Sequence, residues 1–221
     1  MSELIVMLTY DDLTVRNAAE IFDKCKHSKA KFWGFKQAPL PIEEMRKLCA
    51  QMKSCGKTTF LEVVAYTEEE GIAAAKVAHE AGFDVLMGTI YSDSIRDYCN
   101  SHHLKYMPFV GDVSGRPSVL KGEINDIIAE ARAYESKGVF GIDLLGYRYV
   151  GDAVSLNKKL VEYINLPVCI AGSIDSFEKL DEVKNALPWA FTIGSAFFDE
   201  KFGSDFAAQI DRVYDYMNSD S

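Results

Sequence analysis

Apolar residues along this chain follow two alternating periods. Short β-rich runs each lead into a polar or glycine-containing turn and then into apolar positions at helical spacing. The runs Leu4–Thr9, Phe32–Lys36, Thr59–Tyr66, Val85–Ile90, Tyr106–Val110, Phe140–Leu145, Val168–Ala171 and Ala190–Gly194 predict eight strands. Helical spacing recurs between them, as in Ile42, Met45, Leu48 and Met52 after the second run and Phe177, Leu180, Val183 and Leu187 after the seventh. The last segment repeats it with Phe206, Ile210, Val213, Tyr214 and Met217. Ser176 stands where an N-cap belongs, and Gly56, Gly82 and Gly138 separate a helix from the next strand.

Eight such units in 221 residues, about 27 residues each, are the arithmetic of a compact (β/α)8 TIM barrel. A doubly wound open sheet is the alternative. It needs fewer strands and a glycine-rich first turn, whereas the first turn here reads Thr9-Tyr10-Asp11-Asp12-Leu13. No linker or shift in composition divides residues 1–221, so one α/β domain is expected.

Composition narrows the partners. With 48% hydrophobic and 26% charged residues the chain is an ordinary globular one. A net charge of -9, from 33 acidic and 24 basic side chains, disfavours nucleic acid and anionic membranes as partners. No apolar run reaches the roughly 20 residues a membrane span needs, and no secretory leader is visible, so a cytoplasmic location is expected. Cys25, Cys49, Cys55, Cys99 and Cys169 form an odd set without a CxxC pair, which suggests reduced structural thiols. No spacing of His, Cys or carboxylates suggests a zinc site, and no metal or cofactor is expected. Homo-oligomerisation stays open.

In a barrel of this kind, chemistry belongs at the C-terminal ends of the strands. The seventh strand exits through Gly172-Ser173 and the eighth through Gly194-Ser195. Glycine lets the backbone approach an anion closely, and successive main-chain N–H groups at a helix start bind phosphate without a lysine. Two such exits in consecutive units, where barrels place phosphate, make these four residues the candidate phosphate site and a small phosphorylated metabolite the candidate ligand.

The segments CIAGSIDSFEKL and AFTIGSAFF resemble the paired phosphate turns of the ribulose-phosphate-binding superfamily of barrels. Within it, GIDLLGYRY followed by AFTIGSAFF is most similar to the N-acetylmannosamine-6-phosphate 2-epimerases. The resemblance implies a barrel that handles a sugar phosphate. It departs from those epimerases at two points: their catalytic glutamate after strand seven falls on Gly172-Ser173, and their lysine ending strand three has no counterpart. In layout the chain also resembles the glycerol-uptake operon antiterminators, which are regulatory barrels.

Three ionisable residues interrupt otherwise apolar strands: Lys36, Glu62 and Asp143. Facing the helix layer they would be poorly solvated, so they are expected to point into the barrel mouth. There a lysine would polarise a carbonyl while Glu62 and Asp143 move protons between carbons. A buried ion pair between Lys36 and Glu62 would equally explain two of them. Asp11 and Asp112 are candidates for a sugar hydroxyl or a divalent cation, and Arg116 and Arg148 for a carboxylate or phosphate. His102 and His103 precede strand five and belong at the opposite face. The expected function is an isomerase or epimerase acting beside a carbonyl, with an aldolase, a decarboxylase, or a metabolite-sensing barrel as alternatives.

Overall fold

The computed structural model describes residues 2–219. Its central sheet has eight parallel strands: β1 (Glu3–Met7), β2 (Phe32–Lys36), β3 (Thr58–Ala65), β4 (Val85–Thr89), β5 (Lys105–Met107), β6 (Ile142–Leu144), β7 (Val168–Ile170) and β8 (Ala190–Ile193). The hydrogen-bonded order is β6-β7-β8-β1-β2-β3-β4-β5. The gap between β5 and β6 closes through Phe140 N–H to Tyr106 O and Asp143 N–H to Pro108 O, both 2.9 Å, so the sheet is a (β/α)8 barrel. Strand β5 is shorter than its apolar run because Pro108 has no N–H to donate to the ladder.

Outside the barrel lie α1 (Ala18–Cys25), α2 (Ile42–Ser54), α3 (Glu68–Ala81), α4 (Asp93–Ser101), α5 (Ile124–Glu135), α6 (Ala153–Tyr163), α7 (Phe177–Ala186), the single-turn α8 (Ser195–Phe198) and α9 (Phe206–Asn218). The expected cap forms: Ser176 Oγ accepts from Lys179 N–H at 3.3 Å. None of these helices is long and apolar enough to cross a membrane. Two antiparallel ribbons, Thr9–Tyr10 with Leu13–Thr14 and Asp112–Ser114 with Val119–Lys121, were not expected from the apolar pattern. Each pairs only two or three residues, too few for alternation to be read.

Alternation along β2 sorts the core into two layers. Trp33 and Phe35 face the helices, while Phe32, Gly34 and Lys36 share the inner face. Ile5, Met7, Phe60, Val85, Met87 and Met107 fill the barrel, and the rings of Phe32, Phe140 and Trp189 close its lower end. This apolar plug excludes water from one end, so an inward polar side chain near the strands' C-termini has the upper mouth as its one outlet.

Just past Glu62 the β3–β4 register slips, with Glu62 opposite Met87 but Ala65 opposite Thr89. Gly88, at φ 87°, makes room for the bulge, because a Cβ there would lie 2.6 Å from Val63 O. Bulges of this kind re-aim side chains beside functional sites. Gly34 is constrained too: a Cβ would meet Met7 Sδ at 2.8 Å and Phe60 O at 2.9 Å. Gly34→Ala is therefore expected to destabilise the protein by about 1–3 kcal/mol through overpacking, measured by urea unfolding. An unchanged midpoint would show that the barrel interior accommodates the methyl group.

Candidate active site at the barrel mouth

The exits of β7 and β8 meet the geometric demands of an anion cradle. Gly172 and Ser173 both have positive φ, 99° and 52°. A Cβ on Gly172 would sit 2.9 Å from Arg148 Cγ, and one on Gly194 would sit 2.6 Å from Thr9 Oγ1, so neighbouring chain passes directly against both turns. Gly194 caps the N-terminus of α8 without a side-chain hydrogen bond. Among the described residues, the main-chain N–H groups of Gly172, Ser173, Gly194 and Ser195 have no acceptor within the protein. Both turns line one cavity of about 480 Å³.

That cavity also contains a chain of charges. Lys36 Nζ stands 2.9 Å from an Asp12 carboxylate oxygen and 3.4 Å from Glu62 Oε1. Asp12 in turn accepts from two guanidinium nitrogens of Arg148, at 3.1 and 3.3 Å. The Lys36 and Glu62 side chains are only 12% and 14% exposed, so the ion pair expected between them is present and mostly withdrawn from water. Burial opposes the charge on Lys36, but Glu62 and then Asp12 outweigh it and hold the ammonium above its ordinary pKa. Burial likewise opposes the charge on Asp12, yet hydrogen bonds from Arg148 and Lys36 hold its carboxyl below the usual range. Lys36 is therefore a fixed cation, suited to stabilising negative charge rather than to losing a proton near neutrality.

Asp143 occupies a different level. It is 1% exposed, it does not line the cavity, and neither carboxylate oxygen has a hydrogen-bond partner. Desolvation, reinforced by the charge of Glu62 and opposed by Lys36, pushes its pKa well above the ordinary carboxylate value. Asp143 thus lies beneath the floor, in surroundings that disfavour its ionised form. Its side chain points inward as expected, but the surface offered to a ligand is that of Lys36 and Glu62.

Other candidates scatter. Asp11 is exposed at the cavity rim, with its N–H donating to Ser195 Oγ at 3.3 Å. Asp112 is exposed on its ribbon and lies outside the cavity, because the antiparallel pairing carries it away from the strand end. Arg116 donates to Val64 O at 3.2 Å and does not line the cavity either. His102 stacks on Tyr98 with ring centroids 4.0 Å apart, at the end of α4 that leads into β5. Cys169 is buried inside the barrel, where desolvation first, then Asp143 and Glu62, keep its thiol protonated.

The central residue that the apolar and charge patterns do not single out is Asp12. It shares a two-residue hairpin turn with Asp11, both at positive φ, 47° and 63°. Such turns require φ > 0 at both central positions, which Asp tolerates better than most residues. The Asp-Asp pair between Thr9-Tyr10 and Leu13-Thr14 was the available signal. It marks the turn, but not which carboxylate faces the mouth.

No family model matches the chain, and no curated protein matches it in sequence. Solved structures do match in shape. Orotidine 5'-monophosphate decarboxylase from Methanocaldococcus jannaschii is similar with a TM-score of 0.73 at 13% identity, covering 99% of this chain and 100% of that one. The 3-hexulose-6-phosphate synthase of Salmonella typhimurium gives 0.70 at 12% identity, covering 97% and 98%. N-acetylmannosamine-6-phosphate 2-epimerase from Clostridium perfringens gives 0.64 at 12%, covering 88% and 86%. The chain therefore shares the (β/α)8 barrel fold of these three proteins.

Proposed function

We propose that the protein is an isomerase or epimerase acting on a small phosphorylated sugar or related metabolite, by proton transfer beside a carbonyl. The observation that carries this reading is the opening of one cavity onto both glycine-serine turns and onto the Lys36–Glu62 pair. Phosphate on the turns would anchor the substrate over β7 and β8. Its carbonyl end would then reach across the mouth toward β2 and β3. Lys36, already cationic, would stabilise the oxygen as negative charge develops, and Glu62 would take a proton from the adjacent carbon and return it. Asp143, buried beneath the cavity floor without a hydrogen-bond partner, would act on the site through its neighbours rather than by touching the substrate.

The structural neighbours include an epimerase, a synthase and a decarboxylase with phosphorylated compounds in their names, which supports a phosphorylated substrate without choosing among these chemistries. One observation favours a second reading, a barrel that only binds a phosphorylated compound. Asp12 satisfies both Lys36 and Arg148, so the charges are already balanced without any reaction.

Crystals soaked in phosphate are expected to hold the anion between Gly172-Ser173 and Gly194-Ser195, and anion density elsewhere with these turns empty would remove the anchor. Once a thermal-shift screen has supplied a substrate, Glu62→Gln should lower turnover by about 100-fold or more while phosphate-dependent binding survives. A purely structural ion pair predicts the reverse: a loss of about 3–5 kcal/mol in stability, with activity falling only as folded protein is lost. A ligand that binds but is never consumed would establish the sensing role instead.

Asp143 gives a separate pH signature. Its raised folded pKa means that the native state holds a proton the unfolded chain releases, so this group's contribution declines as pH rises above the unfolded carboxylate value of about 3.9. Asp143→Asn cannot titrate. The variant's melting temperature relative to the parent should therefore rise as pH climbs above about 3.9, the unfolded carboxylate value. A difference independent of pH would mean that Asp143 is ionised in the folded protein.

A further inference from the structure

The hairpin after β1 is held in two different ways. Its return strand is fastened to β2 and the residues beyond: Thr14 Oγ1 donates to Lys36 O at 2.6 Å and accepts from Lys36 N–H at 2.9 Å, and Thr14 N–H donates to Ala38 O at 2.9 Å. Its tip, Asp11-Asp12, is tethered only to groups that line the cavity. Asp11 N–H donates to Ser195 Oγ, while the Asp12 carboxylate pairs with Lys36 and Arg148. Leu13 is 50% exposed, and Tyr10, 41% exposed, rests its ring against that of Phe198, centroids 5.8 Å apart, on the outgoing strand rather than at the tip. The anchor is thus structural, and the tip sits where a ligand would.

The form of the Asp12 contact identifies what belongs there. Arg148 offers two nitrogens to the two oxygens of Asp12, and Lys36 takes one of those oxygens as well. Two parallel N–H donors and an ammonium make a site for a planar anion with two oxygens. The stem of Arg148 runs against the Gly172 turn, so this position adjoins the candidate phosphate cradle.

We propose that Asp12 is a built-in stand-in for the ligand, and that the natural ligand carries a carboxylate in addition to its phosphate. The inference rests on the phosphate reading above and adds the second anionic group. On binding, the ligand carboxylate takes Arg148 and Lys36 from Asp12, the hairpin tip lifts about its Thr14 anchor, and Ser195 Oγ is released from Asp11. The exchange replaces one carboxylate with another, so neither cation is left unpaired in a poorly hydrated site. A phosphate ester without a carboxylate lacks this compensation. It must either leave the tip in place or displace it, leaving Arg148 without a carboxylate and Lys36 with Glu62 alone.

The test is calorimetric titration with matched pairs of increasing length: 2-phosphoglycolate, 3-phosphoglycerate and 6-phosphogluconate, each against the corresponding phosphorylated alcohol, with inorganic phosphate as reference. For the best-fitting length the acid should bind about tenfold or more tightly than its alcohol. Arg148→Met should erase the preference. Arg148→Lys, which keeps the charge but not the fork, should erase most of it, and Asp12→Asn should enlarge it by removing the competing carboxylate. Circular dichroism melting of each variant controls for folding. Equal binding of acid and alcohol at every length, or a preference that survives Arg148→Met, overturns the inference and leaves the phosphate reading standing. Failure of every phosphate compound to bind overturns the phosphate reading, and this inference with it.

Discussion

The site is organised by a cation that the barrel cannot easily hydrate. Lys36 lies on the inner face of β2 above a closed apolar plug, 12% exposed, and an ammonium in that position must be paired to stay charged. Glu62 from β3 and Asp12 from the first hairpin supply the pairing, and Arg148 supplies the second cation that Asp12 then carries. Four residues from four chain segments are thereby held in one arrangement at the mouth. Removing Lys36 would leave Glu62, 14% exposed, without a cationic partner. The same low hydration that makes the network costly strengthens each electrostatic contact within it.

A buried carboxyl group, Asp143, adds a second constraint. Ionising Asp143 would place another negative charge near Glu62 in a region without hydrogen-bond donors for it. Glu62, by contrast, opens to the cavity. Two carboxyl groups of the same chemical type thus stand at different depths, one lining the cavity and one sealed below it.

The barrel is legible in the sequence because each of its units repeats the same two periods, and β2 is placed to the residue, since Phe32-Trp33-Gly34-Phe35-Lys36 alternates cleanly between the interior and the helices. The glycine-serine turns are legible because each directly follows an apolar run, so the point where the chain leaves the barrel coincides with the residue that lets backbone pass closely. Glu62 can be assigned to the inner face from alternation with Phe60, but the register slip after it depends on Gly88 of the neighbouring strand, a relation between two segments that no single run displays. Asp12 is hidden for a related reason. Local turn chemistry treats Asp11 and Asp12 alike, and what separates them is contact with Lys36 and Arg148, the latter 136 residues away. Asp112 is drawn into the candidate set by position after a strand, and the ribbon that displaces it has too few residues for a periodic signal.

The hydrogen bond from Asp11 to Ser195 spans 184 residues, and β1 pairs directly with β8. The ring therefore closes between units that lie far apart in sequence. During synthesis β1 and the first hairpin emerge well before β8, which pairs with β1 on one side. Contacts of such long sequence separation are slow to form and leave strand edges unpaired in the interval. A nascent or truncated chain lacking β8 would contain most of the apolar core and the Lys36–Glu62 pair, yet it would have neither the Gly194-Ser195 turn nor a protected edge on β1. Its resistance to edge-to-edge association should consequently appear only as β8 closes the ring.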